Sequence, residues 1–223
     1  VWSWTNCDKW ALESHNSAMS DASTTFFIDE MAAHDAYKLC SGLIVPRPIG
    51  WIGSLSADGI ANLAPYSFFN LIGNDPMHVA FSPGSVGGGD KDSLANVKQI
   101  PEFTVNIVTA ETVAAMNDTA ATLPPEEDEF EHAGLTKLAS ERIRPPRVAE
   151  VTAAMECIVV DIVHVGRAGG GNDLVIGEVV VVHVADRVLD GTRVDQSELR
   201  AVGRHAGNWY SHATDLFDLT RPA

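Results

Sequence analysis

Short apolar runs rich in β-branched residues recur along the chain between turn-forming residues, and this pattern predicts strands. Residues 50–56 (GWIGSLS) and 60–67 (IANLAPYS) flank Asp58-Gly59, which predicts a hairpin. Residues 77–84 (MHVAFSPG) and 102–109 (EFTVNIVT) predict two more strands. Residues 153–166 and 173–186 predict two long strands joined by RAGGGN. Strands therefore dominate the predicted structure.

Helices are predicted only between the strands and after them. A Gly-rich loop at 86–91 leads into a short helix that Asp92 or Ser93 could cap, and residues 110–123 predict a second helix. Residues 26–39 predict a short strand and a helical turn, the acidic run 124–138 a solvated loop, and the tail from 197 a loop and a helix. Because these helices do not alternate regularly with strands, the pattern favours an antiparallel barrel with peripheral helices.

The first residues do not continue this pattern. They contain three Trp residues among polar ones, without an initiator Met, a basic start or an apolar signal core. We expect the native start at Met19 and interpret residues 1–25 as a leader or disordered extension. Residues 26–223 are predicted to form a single domain.

Composition narrows the class of protein. The 223 residues are 45% apolar and carry a formal charge of −15, which argues against a nucleic-acid or anionic-membrane surface. Cys7, Cys40 and Cys157 form no CxxC pair, so a zinc site or disulfide framework is not predicted. We expect a reducing, cytoplasmic location, and Cys157 as a core residue. The longest apolar run, residues 174–184, contains Glu178 and His183 and predicts a buried strand rather than a membrane span.

Familiar catalytic motifs are missing from the sequence. The Gly-rich run at 84–93 is interrupted by Asp90 where a P-loop needs Gly-Lys-Ser/Thr, and RAGGGND lacks the helix of a dinucleotide fingerprint. The His residues show no metal-binding spacing, so no metal site is predicted. We identify no catalytic residue.

Two segments instead suggest a ligand site. Ser67 and Asn70 stand beside Pro65, Tyr66 and Phe68, a mixture of flat apolar and hydrogen-bonding groups suited to a planar ligand. Downstream, residues 91–93 place Lys91 and Ser93 at a helix N-terminus, where backbone N–H groups could hold a phosphate. Each residue taken alone is better explained as a turn residue, a cap or a surface position, and only the combination favours a ligand site.

The order of several motifs resembles the flavin reductase-like family, flavoproteins of the FMN-binding split-barrel fold. They are YKLCSGLIVPRPIGWIGSLSADGIANLAPYSFFN, FSPG, KDSLANV, FTVNIVT, RPPRVAE, LVIGEVVVVHV and VGRHAGNWY. The likeness covers about residues 28–222. It departs from the commoner pattern at Ala206, where a second Gly is usual.

The resemblance implies a mainly β, antiparallel Greek-key split barrel that binds FMN. Residues 64–70 would contact the ring and ribityl chain, residues 91–93 would face the phosphate, and residues 203–210 would close over the ring or reach a partner subunit. The implied cofactor-binding residues are Pro48, Ile49, Gly50, Trp51, Ser54, Ala64, Pro65, Tyr66, Ser67, Asn70, Phe81, Ser82, Lys91, Asp92, Ser93, Arg204 and His205.

The implied function is an FMN-dependent oxidoreductase. Hydride transfer through a flavin needs no acid–base pair from the protein, which agrees with the absence of one in the sequence. NAD(P)H would deliver hydride to the flavin, and the reduced flavin would serve a second flavin, a partner monooxygenase or a small acceptor. The family also implies a homodimer. Two alternatives remain open: a non-enzymatic, flavoredoxin-like electron carrier, and a haem-binding relative with His183 or His205 as a ligand.

Overall fold

The structure is a computed structural model that describes residues 23–86, 89–167 and 170–222. Its contacts divide the chain into two units, the first ending at Tyr37 and the second beginning at Lys38. The described part of the first unit holds a 3-10 turn, Ile28–Glu30, and the beginning of a helix, so the strand predicted after Phe26 is wrong. Ala, Lys and Leu favour the helix there. Most of the predicted leader, residues 1–22, lies outside the described residues, and the boundary at residue 26 stays a prediction.

The helices are α1 (Ala33–Leu43), α2 (Asp92–Gln99), α3 (Val113–Asp118), α4 (Glu129–His132) and α5 (Gln196–Leu199). Within the described residues, none of them is long and apolar enough to cross a membrane. The strands are β1 (Arg47–Pro48), β2 (Gly50–Leu55), β3 (Ala61–Tyr66), β4 (Phe69–Asn74), β5 (Met77–Phe81), β6 (Ser85–Val86), β7 (Gly89–Asp90), β8 (Glu102–Ile107), β9 (Lys137–Leu138), β10 (Arg147–Val148), β11 (Ala153–Val165), β12 (Asn172–Val184), β13 (Leu189–Asp190), β14 (Arg193–Val194), β15 (Val202–Arg204) and β16 (Tyr210–His212).

Seven of the described strands form one antiparallel sheet in the order β3-β2-β8-β11-β12-β5-β4. β8 returns beside β2 rather than beside β5, which gives a Greek-key order. The edge strands β3 and β4 are separated in the chain only by Ser67 and Phe68, so the sheet must curl enough to bring the end of β3 close to the beginning of β4. This arrangement confirms the predicted mainly β, antiparallel split barrel with peripheral helices.

The predicted β2–β3 hairpin is present, with Gly59 at φ 82°, a left-handed conformation that favours glycine. The two long strands are β11 and β12, which pair from Ala153↔Val184 to Val165↔Asn172. Part of their connecting loop, residues 168–169, lies outside the described residues. Local apolar patterning and turn residues therefore predicted the main hairpins correctly.

Apolar side chains pack on both faces of the β2–β3 hairpin. Ile52 and Tyr66 belong to a core that also includes Phe81, Phe103 and Cys157. Residues on the opposite face form a second core: Ile49, Trp51, Ala61, Leu63, Val108, Met116, Phe130, Val148 and Val202. Cys157 is fully buried, as predicted, and burial raises the pKa of its thiol. The hairpin is thus held rigidly from two sides.

Three segments differ from their predictions. β4 was not predicted, because an edge strand exposes residues such as Leu71 and Ile72 and lacks a clear alternation. The acidic run contains helix α4, whose first residue, Glu129, is buried. The tail was predicted as a loop and a helix; it begins with the last residues of the short helix α5 and then forms strands β15 and β16, because β15 pairs with the proline-stiffened β1.

Candidate functional site

A cavity of about 380 Å³, here called the hairpin cavity, opens beside β3. Its wall contains Asn62, Ala64, Pro65 and Tyr66 from β3. Asp90 to Ser93, the segment after α3 (residues 119–123), Pro125 and Glu129 complete the lining. The hairpin and the beginning of α2, which the sequence singled out separately, therefore meet at one place.

The first turn of α2 presents hydrogen-bond donors at this cavity. Lys91 is the N-cap, in an extended conformation and without a side-chain cap bond, so the predicted capping by Asp92 or Ser93 is wrong. Within residues 23–86, 89–167 and 170–222, the N–H groups of Asp92 and Ser93 have no acceptor. The Lys91 ammonium lies 5.5 Å from the centre of the Tyr66 ring. Two free N–H groups and a cation make this turn suited to an anion.

A chain of buried hydrogen bonds connects residues of the cavity wall. The Tyr66 hydroxyl donates to Ser93 Oγ at 3.0 Å, and Ser93 Oγ donates to Asn62 Oδ1 at 2.7 Å. Asn62 Nδ2 donates to Glu129 Oε1 at 2.8 Å, and the Leu63 N–H donates to Glu129 Oε2 at 3.0 Å. The Ser93 side chain is therefore turned into this chain, and only its N–H group is free for a ligand.

Ser54 and Asn96 form a branch of the same hydrogen-bond chain, which connects to it at Asn62. Asn96 Nδ2 donates to Ser54 Oγ at 3.1 Å, and Ser54 Oγ donates to Asn62 Oδ1 at 3.2 Å. α2 is thus fixed to the hairpin at two points one turn apart, Ser93 and Asn96.

The buried groups of this chain titrate outside their usual ranges. Burial raises the pKa of Tyr66 to about 12, although its bond with Ser93 acts in the opposite direction. Burial also raises the pKa of Glu129, and the donors at Leu63 and Asn62 offset this only in part. Tyr66 therefore stays neutral at physiological pH.

A second cavity, of about 410 Å³, lies beside the first and shares Asn62, Asp92 and Glu129 with it. Asp58, Glu126 and Glu127 add further carboxylates to its lining. We call it the acidic cavity. Its five acids, without a Lys or Arg among the lining residues, would repel a phosphate. The hairpin cavity also contains Asp90, Asp92 and Glu129, but it offers Lys91 and free N–H groups beside them.

Arg47, the lone Arg of the RPIGWIG segment, ties several chain segments together. Its Nη1 donates to the Ser41 and Ile44 carbonyls at 2.6 and 2.8 Å. Its Nε donates to Ser67 Oγ at 3.2 Å and its Nη2 to the His205 carbonyl at 3.2 Å. Arg47 thereby satisfies carbonyls at the end of α1 and fixes both Ser67 and the tail.

An apolar cleft of about 350 Å³ lies beside Arg47. It is lined by Pro48, Ile49, Phe69 and Gly203, among other residues of β1, β8 and β15. Phe69 also covers Gly50, where a Cβ atom would lie 2.6 Å from the Phe69 ring. A side chain at position 50 would push Phe69 away.

The structure distributes the predicted cofactor-binding residues over several places. Ala64, Pro65, Tyr66, Lys91, Asp92 and Ser93 line the hairpin cavity. Pro48 and Ile49 line the apolar cleft, and Gly50 lies under Phe69. Trp51, Ser54 and Phe81 are fully buried.

The Trp51 indole shows what this burial means. Its Nε1 donates to Thr119 Oγ1 at 2.8 Å inside the second core, so only its main chain could meet a ligand.

The remaining predicted residues lie away from the hairpin cavity. Asn70 is exposed on β4, and the Ser82 N–H donates to the Phe68 carbonyl at 2.8 Å. Arg204 Cζ lies 4.5 Å from the centre of the Tyr210 ring, and its Nη2 donates to the Gly207 carbonyl. His205 Nε2 lies 2.8 Å from Ser211 Oγ. The structure therefore does not bring these residues together with Lys91.

Sequence reasoning missed Asn62, Glu129 and Arg47. Asn62 lies within a predicted strand, where an inward-facing amide among apolar residues was a usable signal. For Glu129 the signal was the Asp128 cap, whose carboxylate accepts from the Phe130 N–H at 2.9 Å. A cap followed by an apolar residue indicates a helix rather than a solvated loop.

The comparisons with known proteins agree with this architecture. The family model for the flavin reductase like domain matches residues 42–201. The uncharacterized protein BH2278 of Halalkalibacterium halodurans is 38% identical over 197 residues, 87% of this chain and 94% of that protein. YwrF of Bacillus subtilis is 33% identical over 202 residues, 89% of this chain and 98% of that protein.

Two solved structures resemble the chain over most of its length. Nitrilotriacetate monooxygenase component B from Bacillus cereus has a TM-score of 0.87 and 37% identity, and the match covers 90% of this chain and 100% of that one. The 2-nitrobenzoate 2-nitroreductase of Pseudomonas fluorescens has a TM-score of 0.81 and 28% identity, covering 89% and 96%.

Proposed function

The chain belongs to the flavin reductase-like domain family, and from this premise we propose that it is an FMN-dependent oxidoreductase. NAD(P)H delivers the reducing equivalents, and a second flavin, a partner monooxygenase or a small acceptor receives them. A flavin-related oxidoreductase function is supported by the family and by the two similar structures. One of these is a monooxygenase component, which favours a partner oxygenase as acceptor, and the other is a nitroreductase, which favours a small aromatic acceptor.

The observation that carries the proposal is the meeting of β3 with the first turn of α2 at the hairpin cavity. The free N–H groups of Asp92 and Ser93 and the Lys91 ammonium can hold a phosphate despite the net charge of −15. Pro65 and Ala64 provide an apolar wall suited to a flat ring. These residues fit FMN, whose single phosphate needs one such site.

Bound flavin supplies the hydride and electron chemistry, so the chain's own residues only have to bind and orient. Tyr66, with its pKa near 12, keeps its proton, which it donates to Ser93. Glu129 accepts two hydrogen bonds and is buried. Both groups therefore serve as fixed parts of the wall rather than as an acid or base.

The proposal includes a homodimer in the cytoplasm. Apolar side chains on the outer parts of β11 and β12 are exposed, among them Ile158, Val160, Val163 and Val182. An exposed apolar surface of this kind supports association with a second copy. The cytoplasmic location stays a prediction from the sequence.

The first experiment is a titration of the purified protein with FMN, FAD and riboflavin, followed by anaerobic stopped-flow mixing with NADH and with NADPH. We expect saturable FMN binding and rapid bleaching of the bound flavin by one of the nucleotides. If neither nucleotide reduces the bound flavin, the non-enzymatic electron carrier becomes the better interpretation. Absence of flavin binding would reject the proposal.

A variant tests the phosphate assignment within this function. Lys91→Ala should weaken FMN binding by about tenfold or more, because a hydrogen bond to a charged group contributes about 1.5–3 kcal/mol. Riboflavin lacks the phosphate, so its affinity should not change. Lys98→Ala is the charge-matched control, since Lys98 lies in the last turn of α2 and pairs with Asp90 and Asp173. Equal weakening by both variants would contradict a direct contact.

A further inference from the structure

Glu129 is a buried carboxylate at the end of the hydrogen-bond chain in the wall of the hairpin cavity. It belongs to α4, whereas the other members of the chain belong to the hairpin and to α2. Glu129 is 6% exposed, Asn62 7% and Ser93 1%. These side chains are therefore largely shielded from water although they line the cavity, and the geometry of the chain depends mainly on its own members.

The carboxylate fixes the direction of every bond in the chain. A carboxylate only accepts, so the Asn62 amide must turn its NH₂ group to Glu129 and its oxygen to Ser93. Ser93 must then donate to Asn62, which leaves its oxygen to accept from Tyr66. All donors point towards Glu129.

This chain determines where the first turn of α2 lies. Ser93 is the second residue of α2, and its N–H group is one of the two free donors at the hairpin cavity. Its side chain is fixed to Asn62 on β3, and Asn96 is fixed to Ser54 on β2. The position of the free N–H groups relative to β3 is therefore set through Asn62.

We propose that Glu129 is a positioning residue for the phosphate end of the bound flavin. It acts through Asn62 and Ser93 by orienting a one-directional hydrogen-bond chain that fixes the first turn of α2 against the hairpin. This inference rests on the proposed function, because it takes the anion at α2 to be the flavin phosphate. Glu129 itself makes no contact with the phosphate.

If Glu129 affected the phosphate only through its negative charge, its replacement would change FMN affinity in the opposite direction. Removing a negative charge near a phosphate should strengthen phosphate binding. Removing the acceptor that orients Asn62 should weaken it, because an amide at position 129 presents an NH₂ group to either Asn62 or the Leu63 N–H. The sign of the change distinguishes the two roles.

The test compares Glu129→Gln with Glu127→Gln for binding of FMN and of riboflavin. Glu127 is an exposed acid of the same segment that lines only the acidic cavity. We expect Glu129→Gln to weaken FMN binding about tenfold and to leave riboflavin within about twofold, a difference of one lost buried hydrogen bond. Glu127→Gln should leave both affinities within about twofold. Tighter FMN binding, or equal losses of FMN and riboflavin, would overturn the proposal.

A second measurement needs no flavin. The N–H groups of Leu94 and Ala95 donate to the Lys91 carbonyl at 2.8 and 3.0 Å, so their hydrogen exchange reports the order of the first turn of α2. Glu129→Gln should speed their exchange at least about fivefold, and Glu127→Gln should not. If the parent protein does not bind FMN, the proposed function fails, whereas unchanged exchange in Glu129→Gln rejects the positioning role.

The double variant Asn62→Asp/Glu129→Gln should restore the hydrogen-bond chain, with the carboxylate at position 62 and the amide at position 129. A carboxylate at position 62 accepts from Ser54, Ser93 and the new amide, and the amide oxygen accepts from the Leu63 N–H. Every donor keeps an acceptor, so exchange at Leu94 and Ala95 should return to the parent rate. Failure of this rescue in a folded double variant would overturn the directional chain.

Discussion

Glu129 at the beginning of α4 and Glu156 within β11 are both buried, with 6% and 0% of their surfaces exposed. Glu156 accepts the N–H groups of Glu141 and Arg142 at 2.7 and 2.8 Å, and His183 Nε2 lies 2.7 Å from its Oε1. Glu129 accepts one main-chain N–H group and one side-chain amide. The two sites thus share burial and differ in their donors.

The pKa values of these two carboxyls move in opposite directions. Burial on its own would raise the pKa of Glu156, but the donors at Glu141, His183 and Arg142 together hold it below its ordinary value. For Glu129 burial dominates and raises the pKa, and nearby Asp92 adds to the rise. Burial alone therefore does not decide the direction of an acid's pKa shift in this protein. The balance between burial and the donors decides it.

The largest expected effect is on the free energy of unfolding. Glu156→Gln should cost about 3 kcal/mol, because an amide must face at least one of three converging donors without water. Glu129→Gln should cost about 1 kcal/mol, because the lost acceptor is offset by relief from burying a charge. Urea unfolding measures both, with Glu127→Gln as an exposed control that should change stability by less than about 0.5 kcal/mol. Equal costs at 129 and 156 would mean that burial governs both sites.

The pH dependence of stability sharpens the same contrast. The lowered pKa of Glu156 gives a stabilisation that is present above the ordinary value of 4.5 and is lost as the pH falls through the folded-state pKa. The raised pKa of Glu129 gives a stabilisation that is present below 4.5 and is lost as the pH rises through its folded-state pKa. The advantage of the parent over Glu156→Gln should therefore shrink in acid. Its advantage over Glu129→Gln should grow in acid, and parallel curves from urea unfolding across this range would contradict the assignment.

The sequence predicted the fold better than these sites because of the range over which each is determined. The β2–β3 hairpin depends on neighbouring residues and on the turn at Gly59, all of which can be read locally. Glu129 accepts hydrogen bonds from two residues that lie 67 and 66 positions away in the sequence. Arg47 donates to a carbonyl that lies 158 positions away. No local pattern separates such a buried acid from a solvated one in the run EEDEFEH.

The site residues show the same division. Residues 64–66 and 91–93 were predicted as two segments with compatible chemistry, and the structure brings both to the hairpin cavity. The direction of the Ser93 side chain was not predictable, because it depends on Asn62 and Tyr66 across the fold. The alternation of apolar and polar residues predicts which face of a strand a side chain lies on. The direction of a side-chain hydrogen bond can be predicted only when its partners in the fold are known.

Removing the hydrogen bond from His183 to Glu156 tests the comparison of the two glutamates with a smaller expected loss of stability. Its side chain is 22% exposed, and its Nε2 makes one of the bonds to Glu156. His183→Ala should cost about 2 kcal/mol, since a hydrogen bond to a charged acceptor contributes about 1.5–3 kcal/mol. Thermal and urea unfolding measure the loss, with the exposed His212→Ala as control. No loss would assign the low pKa of Glu156 to the two main-chain donors alone.

The smallest expected effect is at Tyr66, the far end of the chain from Glu129. Its hydroxyl donates to Ser93, which keeps its own bond to Asn62 when that donor is removed. Tyr66→Phe should therefore cost about 1 kcal/mol in urea unfolding, and because the hydroxyl donates its proton to Ser93 it should leave FMN affinity within about twofold. A loss of FMN affinity as large as that of Lys91→Ala would show that the hydroxyl reaches the ligand. The chain would then run towards the cavity instead of towards Glu129, and the contrast between the two buried glutamates would need another cause.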